Sequence, residues 1–544
     1  RKVEEMRLSL WLEDELALYY GSKEAAKKEI LSRYASFVYM GNGRYGFAAA
    51  SAFYFGRPLS SLKRHDAPIG ALLAGITKSP AEYAPAPSDS QKALRRRNLI
   101  LAQMAEDGRI PEANLPRFLS SRVLLASPPS RKTDAPAAIG TVLYEMGRLE
   151  KESSLPVGIS TLFNGRVGIR TTLDDRLQRI VNVALENGLR RYERRHPGSA
   201  GIVQGSAIVL RNRDAAILAE AGGREVYKGR ETSYVDYDRV RDSRRQPGSA
   251  IKPLVYLAAL RKGALTPDSL VADEPISVSM GAFAPPKWIA NYDGKFKGMV
   301  PARLALAESR NAAAIWVTKQ IGIRSVIETA RELGIETPLA PYPSTALGGS
   351  EVTLLELANV YRAIASGTLA RPHAIEEVTD GTGTSLYRWS EPVREIDGGV
   401  AFDEIRELLR GVVRIPTGTA HALDQSREFP IPVMGKTGTT NDFRDALFVG
   451  STYGIGGITA AIRIGFDDNR ELGEKETGGR TALPIFKEIM LEAYGGGILG
   501  PPPATPRAME DSIDAYLDAP FEMDESATPD AGPLLLGTTI AAVQ

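Results

Sequence analysis

The chain has 544 residues, enough for two or more domains of about 100–200 residues each. Its 43% hydrophobic and 24% charged residues are typical of a soluble globular protein, and a net charge of +1 gives no global field favouring nucleic acid or an anionic membrane. Cysteine is absent and the four histidines lack metal-ligand spacing, which excludes disulfides and a cysteine nucleophile and argues against a zinc site.

Residues 1–112 predict an all-helical region. Apolar residues recur at helical spacing near its start, and further helices are predicted at 47–55, 67–76 and 92–107. Arg1 lies inside a helical pattern, so we expect the chain to be a fragment or a processed product. No run of about 18 apolar residues occurs, so we expect any membrane anchor upstream of Arg1.

The sequence pattern changes at several points after residue 112. Prolines interrupt residues 113–165, which we interpret as a linker with some local structure. Residues 166–495 mix strands and helices and are interpreted as a second domain. Residues 496–544 contain a triple proline and little periodicity, so a disordered tail is predicted.

The second domain shows both strand patterns and helical periodicity. Strands are predicted at 167–171, 206–210, 215–219, 445–451 and 458–465, and helices at 174–191, 250–262, 301–321, 324–333, 353–366 and 402–413. Asp174 is placed to cap the first of these helices. Because the helices lie between strands from the two ends of the domain, we predict an α+β fold with an antiparallel sheet flanked by helices.

Three short motifs carry the candidate chemistry. They are Ser249-Ala250-Ile251-Lys252, Ser309-Arg310-Asn311 and Lys436-Thr437-Gly438-Thr439-Thr440, in that order. An S-x-x-K match alone is weak, and by itself it fits a helix-capping serine followed by a surface lysine. The ordered set of three is far more specific.

The first motif suits nucleophilic catalysis. Ser249 and Lys252 are three residues apart, so on a helix they share one face. A serine hydroxyl is a weak nucleophile until a neighbouring base takes its proton, and therefore Lys252 must be neutral for part of the time. The helix after Ser249 is apolar almost all round, so we expect burial to lower the pKa of Lys252, with Lys436 as a second cation beside it.

The other motifs can stabilise and bind the substrate. If residues 436–440 form an edge strand beside the Ser249 helix, the N–H groups of Ser249 and Thr439 can stabilise an oxyanion. We expect Ser309 and Asn311 to relay protons and to bind a substrate amide. Hydrogen bonds from the third motif can hold a carboxylate. The candidate catalytic residues are Ser249, Lys252, Ser309 and Asn311, and the candidate substrate-binding residues are Lys436, Thr437, Gly438, Thr439 and Thr440.

The sequence also resembles a known family outside the three motifs. Residues 169–495 resemble the transpeptidase domain of class A penicillin-binding proteins, with supporting segments at 168–174, 346–350 and 439–445. The resemblance implies a β-lactamase-like serine acyltransferase fold and attack by Ser249 on the D-Ala-D-Ala bond of a peptidoglycan stem peptide. It also implies cross-linking by the amine of a second stem peptide, and acylation of Ser249 by β-lactams. No cofactor is expected for this reaction.

Residues 1–112 resemble the C-terminal part of the lysozyme-like family-51 glycosyltransferase domain. Family motifs match around Arg1-Lys2-Val3-Glu4-Glu5 and Lys27-Lys28-Glu29-Ile30-Leu31. The resemblance implies that Arg1, Lys2, Glu5 and Lys27 bind a lipid-linked diphosphate precursor, with a divalent cation as the cofactor. A solvated helix face is the alternative for these charges, and for Arg96 and Arg97 the two interpretations stay equally open.

The resemblance also sets expectations for the whole protein. The family's catalytic glutamate lies upstream of Arg1, and Ser36 stands where the family has asparagine, so we do not expect this chain to polymerise glycan, although the full-length protein is expected to. The implied location is the bacterial inner membrane, with the catalytic domains in the periplasm. Other cell-wall synthesis proteins are expected as partners, and nucleic acid is not.

Two other functions remain open. One is a D,D-carboxypeptidase or β-lactamase, in which water resolves the acyl-enzyme. The deacylating glutamate of class A β-lactamases, in an E-x-x-x-N segment, has no counterpart between Asn311 and Lys436, which favours a slowly deacylating enzyme. The other is a non-catalytic scaffold of a cell-wall complex, and the intact motif residues argue against it.

Overall fold

The structure is a computed structural model, and the chain forms two compact units. Contacts divide it into Arg1–Lys132 with Val157–Arg166, and Thr133–Pro156 with Val167–Gln544. The structure describes residues 2–41, 44, 46–85, 91–122, 125–126, 136–152, 167–224, 226–227, 230–231, 237–279, 286–380, 383–425 and 428–519.

The described part of the first unit is helical, as predicted. Its helices are α1 (Lys2–Tyr20), α2 (Lys23–Phe37), α3 (Phe47–Phe55), α4 (Ala67–Ile76), α5 (Pro80–Tyr83), α6 (Gln91–Glu106) and α7 (Leu115–Ser120). A small apolar core joins α3, α4 and α6, and within it the Tyr54 hydroxyl donates to the Met40 carbonyl at 2.8 Å. Arg97 is 2% exposed and donates to the carbonyls of Leu119 and Ser121, so it anchors the end of α7 and does not lie on a solvated face.

Two boundaries differ from the sequence interpretation. The region interpreted as a linker contains α8 (Pro136–Lys151), which belongs to the second unit. Its Glu145 carboxylate accepts the Ala374 N–H at 2.7 Å, so the helix is an integral part of that unit. The prediction of a disordered tail is also wrong in part, because Arg507–Asp518 is a helix whose Glu510 pairs with Arg410 at 2.8 Å. Residues 520–544 lie outside the described residues.

The second unit contains the predicted antiparallel sheet. The strands are β1 (Gly168–Thr171), β2 (Gln204–Arg211), β3 (Ile217–Ala221), β4 (Val226–Tyr227), β5 (Arg230–Glu231), β6 (Leu270–Asp273), β7 (Ile276–Ser279), β8 (Pro286–Ile289), β9 (Gly298–Pro301), β10 (Thr368–Leu369), β11 (Ile375–Thr379), β12 (Ser385–Arg388), β13 (Arg394–Glu395), β14 (Met434–Thr439), β15 (Asp445–Ser451) and β16 (Ile458–Gly465). Five of them form the main sheet in the order β14-β15-β16-β2-β3. The pairing of β16 with β2 joins the two ends of the domain, and β14 lies at the edge.

Helices flank this sheet. They are α9 (Asp175–Arg195), α10 (Lys252–Arg261), α11 (Ala302–Ala307), α12 (Asn311–Ile321), α13 (Ile323–Glu332), α14 (Leu354–Ser366), α15 (Gly399–Arg414), α16 (Gly478–Thr481), α17 (Leu483–Gly495) and α18 (Arg507–Asp518). Asp174 caps α9 as predicted, accepting the N–H groups of Arg176 and Leu177 at 2.9 Å each. The helix predicted at 301–321 is two helices, because the chain breaks at Ser309, whose φ is +61°.

Candidate active site

Ser249 lies where a helix start meets the edge of the sheet. It belongs to a 3-10 turn, Gly248–Ile251, that leads directly into α10. A Cβ added at Gly248 would lie 2.4 Å from the Thr439 carbonyl oxygen, and the φ of Gly248 is +52°. Only glycine fits both conditions, so the sequence before Ser249 brings β14 against the nucleophile.

The backbone of Thr439 faces this turn. The neighbouring Thr440 N–H donates to the Asp445 carbonyl at 3.1 Å, so the amide of Thr440 faces β15. Since alternate residues of an antiparallel strand turn their amide groups to opposite sides, the N–H of Thr439 points to the open edge of the sheet. The N–H groups of Ser249 and Thr439 therefore border the same gap, as an oxyanion hole requires.

Lys252 is the central buried group of the site. It is 0% exposed, so it is not the surface lysine of the alternative interpretation. Its Nζ donates to the Asn311 Oδ1 at 2.7 Å and to the carbonyl oxygen of Ser309 at 2.5 Å, and it lies 3.2 Å from the Ser309 Oγ, whose hydroxyl can donate to a neutral amine. Among the described residues, no hydrogen bond joins Lys252 to the Ser249 hydroxyl. The amine therefore contacts the second motif and not the expected nucleophile.

The environment favours the neutral form of Lys252. Burial lowers its pKa well below the usual value, and the charges of Lys436 and Arg310 lower it further, while Asp273 opposes them. Lys436 is also 0% exposed, and burial lowers the pKa of Lys436 to about 7. Lys436 therefore stays partly charged at neutral pH, and its charge disfavours the protonated form of Lys252.

Asp273, Asn291 and Arg310 hold the second motif in place. The Asn291 side-chain oxygen accepts the Asn311 N–H at 2.7 Å, and its Nδ2 donates to Asp273 at 2.7 Å. Asp273, itself 0% exposed, also accepts the Arg310 Nε at 2.7 Å. This network fixes the turn at Ser309, whose left-handed backbone conformation directs its carbonyl oxygen at Lys252.

The third motif lines the other side of the gap. Lys436 Nζ lies 3.4 Å from the Thr437 Oγ1, which donates to the Thr419 Oγ1 at 2.8 Å. The Thr419 N–H in turn donates to the carbonyl of Ala307, at the end of α11. Thr437 and Thr419 thus connect the sheet edge to the helix that precedes Ser309.

Comparisons with known sequences identify the family. Residues 205–491, more than half of the chain, match the penicillin-binding protein transpeptidase domain, and residues 1–105 match the transglycosylase domain. The chain belongs to the class A penicillin-binding proteins. It is therefore an enzyme of peptidoglycan synthesis with an acyltransferase domain and a glycosyltransferase domain, and the predicted family and fold class are confirmed.

Individual penicillin-binding proteins are similar over most of their length. Penicillin-binding protein 1A of Aquifex aeolicus is 31% identical, over 90% of this chain and 73% of that protein. Penicillin-binding protein 1F of Bacillus subtilis is 28% identical, over 94% of this chain and 67% of that protein. The crystal structure of penicillin-binding protein 1A from Haemophilus influenzae superimposes with a TM-score of 0.61 at 23% identity, covering 88% of this chain and 87% of that one, which supports the same fold.

The structure brings the transpeptidase candidates of this penicillin-binding protein together, with all three motifs around one gap. The glycosyltransferase candidates are described less fully. Arg1 and the side chains of Lys2 and Glu5 lie outside the described residues. The Lys27 side chain is 64% exposed and its Nζ lies 3.4 Å from Glu13, so the structure places it on a solvated helix face. Its role toward a diphosphate stays a prediction.

In the part of the chain that the structure describes, no group of three or more His, Asp or Glu side chains could hold a metal ion. No helix in the described ranges is both long and apolar enough to cross a bilayer.

Proposed function

We propose that this penicillin-binding protein is a D,D-transpeptidase that forms an acyl-enzyme on Ser249. The proposal rests on the burial, the lowered pKa and the contacts of Lys252. Its amine is fully buried, its pKa is lowered, and it contacts both Ser309 and Asn311 one helical turn from Ser249. A buried neutral amine one helical turn from a serine can act as its general base.

Acylation needs one proton to move twice. The Lys252 amine swings from Ser309 to Ser249 and takes the hydroxyl proton as Oγ attacks the carbonyl carbon of the penultimate D-Ala. The N–H groups of Ser249 and Thr439 stabilise the oxyanion, each by about 3 kcal/mol. The tetrahedral intermediate then expels the terminal D-Ala, whose nitrogen receives the proton from Lys252 through the Ser309 hydroxyl, 3.2 Å from Nζ.

The third motif is proposed to hold the leaving group. The terminal carboxylate of the stem peptide accepts hydrogen bonds from Thr437 and Thr439 and faces the charge of Lys436. A bound carboxylate favours the protonated form of Lys436, whose pKa in the free protein is lowered to about 7 by burial. Substrate binding therefore restores the cation that keeps Lys252 neutral.

Deacylation by an amine completes the cross-link. The side-chain amine of a second stem peptide attacks the acyl carbonyl, Lys252 accepts its proton, and Ser249 leaves with a proton returned. The same geometry admits water, so D,D-carboxypeptidase or β-lactamase activity remains the second candidate. The missing deacylating glutamate favours slow hydrolysis and a long-lived acyl-enzyme.

Penicillin labelling tests the proposal. Fluorescent penicillin should label the wild-type chain stably, and the Ser249→Ala variant should give no label at the same melting temperature. Rapid loss of label from the wild type would support the hydrolase, and the absence of label on the folded wild type would support a non-catalytic scaffold. Labelling of Ser249→Ala equal to the wild type would refute the assigned nucleophile.

Several expectations about the whole protein enter the proposal. We infer that stem peptides and a lipid-linked precursor are the substrates, that acyl transfer needs no cofactor, and that the glycosyltransferase reaction uses a divalent cation. Other cell-wall synthesis proteins are proposed partners. We also propose an inner-membrane anchor upstream of Arg1, with both domains in the periplasm, and membrane fractionation of the full-length protein tests it.

A further inference from the structure

Two acidic side chains meet beside α8, at the edge of the main sheet opposite β14. Glu220 on β3 is 1% exposed, and Asp238 lies in the segment that leads to Ser249. The two carboxyl groups are hydrogen-bonded to each other. One oxygen of each, Glu220 Oε2 and Asp238 Oδ2, is inaccessible to solvent and receives no donor from any other described group. Two carboxylates in contact cannot both be ionised in such a site, so one of them carries a proton.

The other oxygen of each carboxyl is held by a neighbour. Thr141 on α8 donates to the Glu220 Oε1 at 3.1 Å, and the Val240 N–H donates to the Asp238 Oδ1 at 2.9 Å. A Cβ added at Gly222 would lie 2.8 Å from the Asp238 Oδ1, so a glycine at the end of β3 allows the approach. Each carboxyl group therefore has one oxygen that is fixed by a neutral donor and one that has only the other carboxyl group.

The charges around the pair do not compensate for a second negative charge. Burial raises the pKa of Glu220 well above its usual value and Asp238 raises it further, whereas Arg241 lowers it. Burial also raises the pKa of Asp238, which Arg241 lowers and Asp242 raises. Other polar neighbours are neutral or paired elsewhere, and they include Thr141, Gln178 on α9, which binds the Glu220 backbone, and Arg239, which pairs with Asp467 at 2.6 Å.

The pair lies where three parts of the second unit meet. Arg241 donates to the Gly140 carbonyl at 3.2 Å and lies over the Tyr144 ring at 4.7 Å, so α8 contacts the segment that contains Asp238. The Leu355 N–H, on α14, donates to the carbonyl of Val240 in the same segment at 3.1 Å. That segment continues along the chain to the glycine turn that carries the nucleophile. The charge of the pair therefore bears on both α8 and the approach to the catalytic turn.

We propose that Glu220 and Asp238 share one proton and form a pH-sensitive clasp that holds α8 and the segment before Ser249 against β3. With the proton present, the O–H group of one carboxyl donates to the other. Once the proton leaves for water, two negative charges repel each other in a site that solvent does not reach, and the clasp loosens.

The sign of the effect follows from linkage. The pKa of each carboxyl is higher in the folded chain than in the unfolded chain. The stabilisation by the clasp is therefore complete below the ordinary carboxyl range near about pH 4, and it is lost as the pH rises through the raised pKa of the pair. The second unit should be held together more firmly in acid than in alkali.

Denaturant titrations and hydrogen exchange of the whole chain, between about pH 5 and about pH 9, test the clasp. In Glu220→Gln the amide can donate to Asp238 and accept from Thr141, and it has no proton to lose. Asp238→Asn places the donor on the other partner, and it serves as the test if Glu220→Gln does not fold. Glu328→Gln, which changes an exposed carboxylate on α13, is the matched control.

We expect the unfolding equilibrium constant of the wild type to rise relative to that of Glu220→Gln, by up to about tenfold per pH unit, as for one proton. Glu328→Gln should follow the wild type. The amides of α8 should exchange equally fast in the wild type and Glu220→Gln at the acid end, and severalfold faster in the wild type at the alkaline end.

The same pH dependence in the wild type and the amide variant would overturn the shared proton. A difference in stability without faster exchange in α8 would overturn the clasp. Neither measurement involves the Ser249 hydroxyl, so a failure of the proposed acylation chemistry would be seen separately, as an absence of penicillin labelling.

Discussion

The two units place their motif lysines in opposite environments. In the second unit Lys252 and Lys436 are 0% exposed, and Lys252 donates to oxygen atoms of two other motif residues. In the first unit the Lys27 side chain is 64% exposed and pairs with a glutamate on the neighbouring helix. Burial therefore distinguishes the lysine that can act as a base from the lysine that lies in solvent.

The difference lies in what surrounds each residue rather than in local sequence. Lys252 follows a glycine turn pressed against β14, and the segments that supply its acceptors come from a distant part of the chain. Lys27 lies on α2, the helix that begins after the N-cap Ser22, and its side chain is largely in solvent. Variants at and around these lysines test whether burial causes the difference.

The largest effect is expected for Lys252. Replacing Lys252 by Ala removes the base and should slow acylation of Ser249 by benzylpenicillin on the order of 1,000-fold. Lys252→Met, which keeps most of the apolar volume, should be slowed as much while retaining more stability. Stopped-flow acylation and thermal melts measure the two quantities, and acylation rates near those of the wild type would remove Lys252 from its role.

The second-largest loss of acylation is expected for a variant at Gly248. Gly248→Ala places a Cβ 2.4 Å from the Thr439 oxygen, so β14 must move away from Ser249 and the oxyanion hole opens. We expect acylation to slow by about 100-fold, the effect of losing one oxyanion donor. Gly263→Ala is the matched control, because its φ is +63° but no atom lies within 4 Å of the added Cβ. Acylation by Gly248→Ala as fast as by Gly263→Ala would contradict the proposed displacement of β14.

A smaller loss of activity, with a marked loss of stability, is expected at Asp273. Asp273→Asn removes the buried charge that pairs with Arg310 and leaves Arg310 with Asp293 and the Lys295 carbonyl, so we expect the free energy of unfolding to fall by about 3 kcal/mol. Acylation should fall about tenfold, because Asn291 and Asn311 lose their fixed positions. The double variant Asp273→Asn/Arg310→Met should regain part of the stability in denaturant titrations. No recovery in that variant would indicate that the ion pair is not the stabilising element.

Lys27 should show the smallest effect. Lys27→Ala removes an exposed ion pair, so the free energy of unfolding should change by less than about 0.5 kcal/mol. Acylation of Ser249 by benzylpenicillin should equal that of the wild type. A loss of acylation in this variant would contradict the contrast between the two units.

The sequence predicts those features that depend on local patterns. The strands at 445–451 and 458–465 are found as Asp445–Ser451 and Ile458–Gly465, because each is a short, mostly apolar run between turn residues. The cap at Asp174 and the edge position of the third motif are found as well. Glycine, proline and Asx signals are local, so they can be read without knowledge of the fold.

Features that depend on distant contacts were missed. Asp273 and Asn291 bind the second motif across long stretches of chain, and nothing in their local sequence indicates it. The helix at Pro136–Lys151 could have been found, because a proline taken as an interruption stands at the first helical position, where proline is favoured. The tail helix likewise has Met509 and Ile513 one turn apart, an apolar stripe too short to be convincing alone.

The pH dependence of Ser249 acylation is the sharpest test of Lys252 as the base. If burial and the charges of Lys436 and Arg310 lower the pKa of Lys252 well below its usual value, its neutral form becomes available at a lower pH than that of an ordinary lysine. The rate constant for benzylpenicillin acylation should then rise with pH and reach its plateau well below pH 10. A rate that keeps rising to pH 10 or beyond, as for a lysine of ordinary pKa, would contradict the assignment of Lys252.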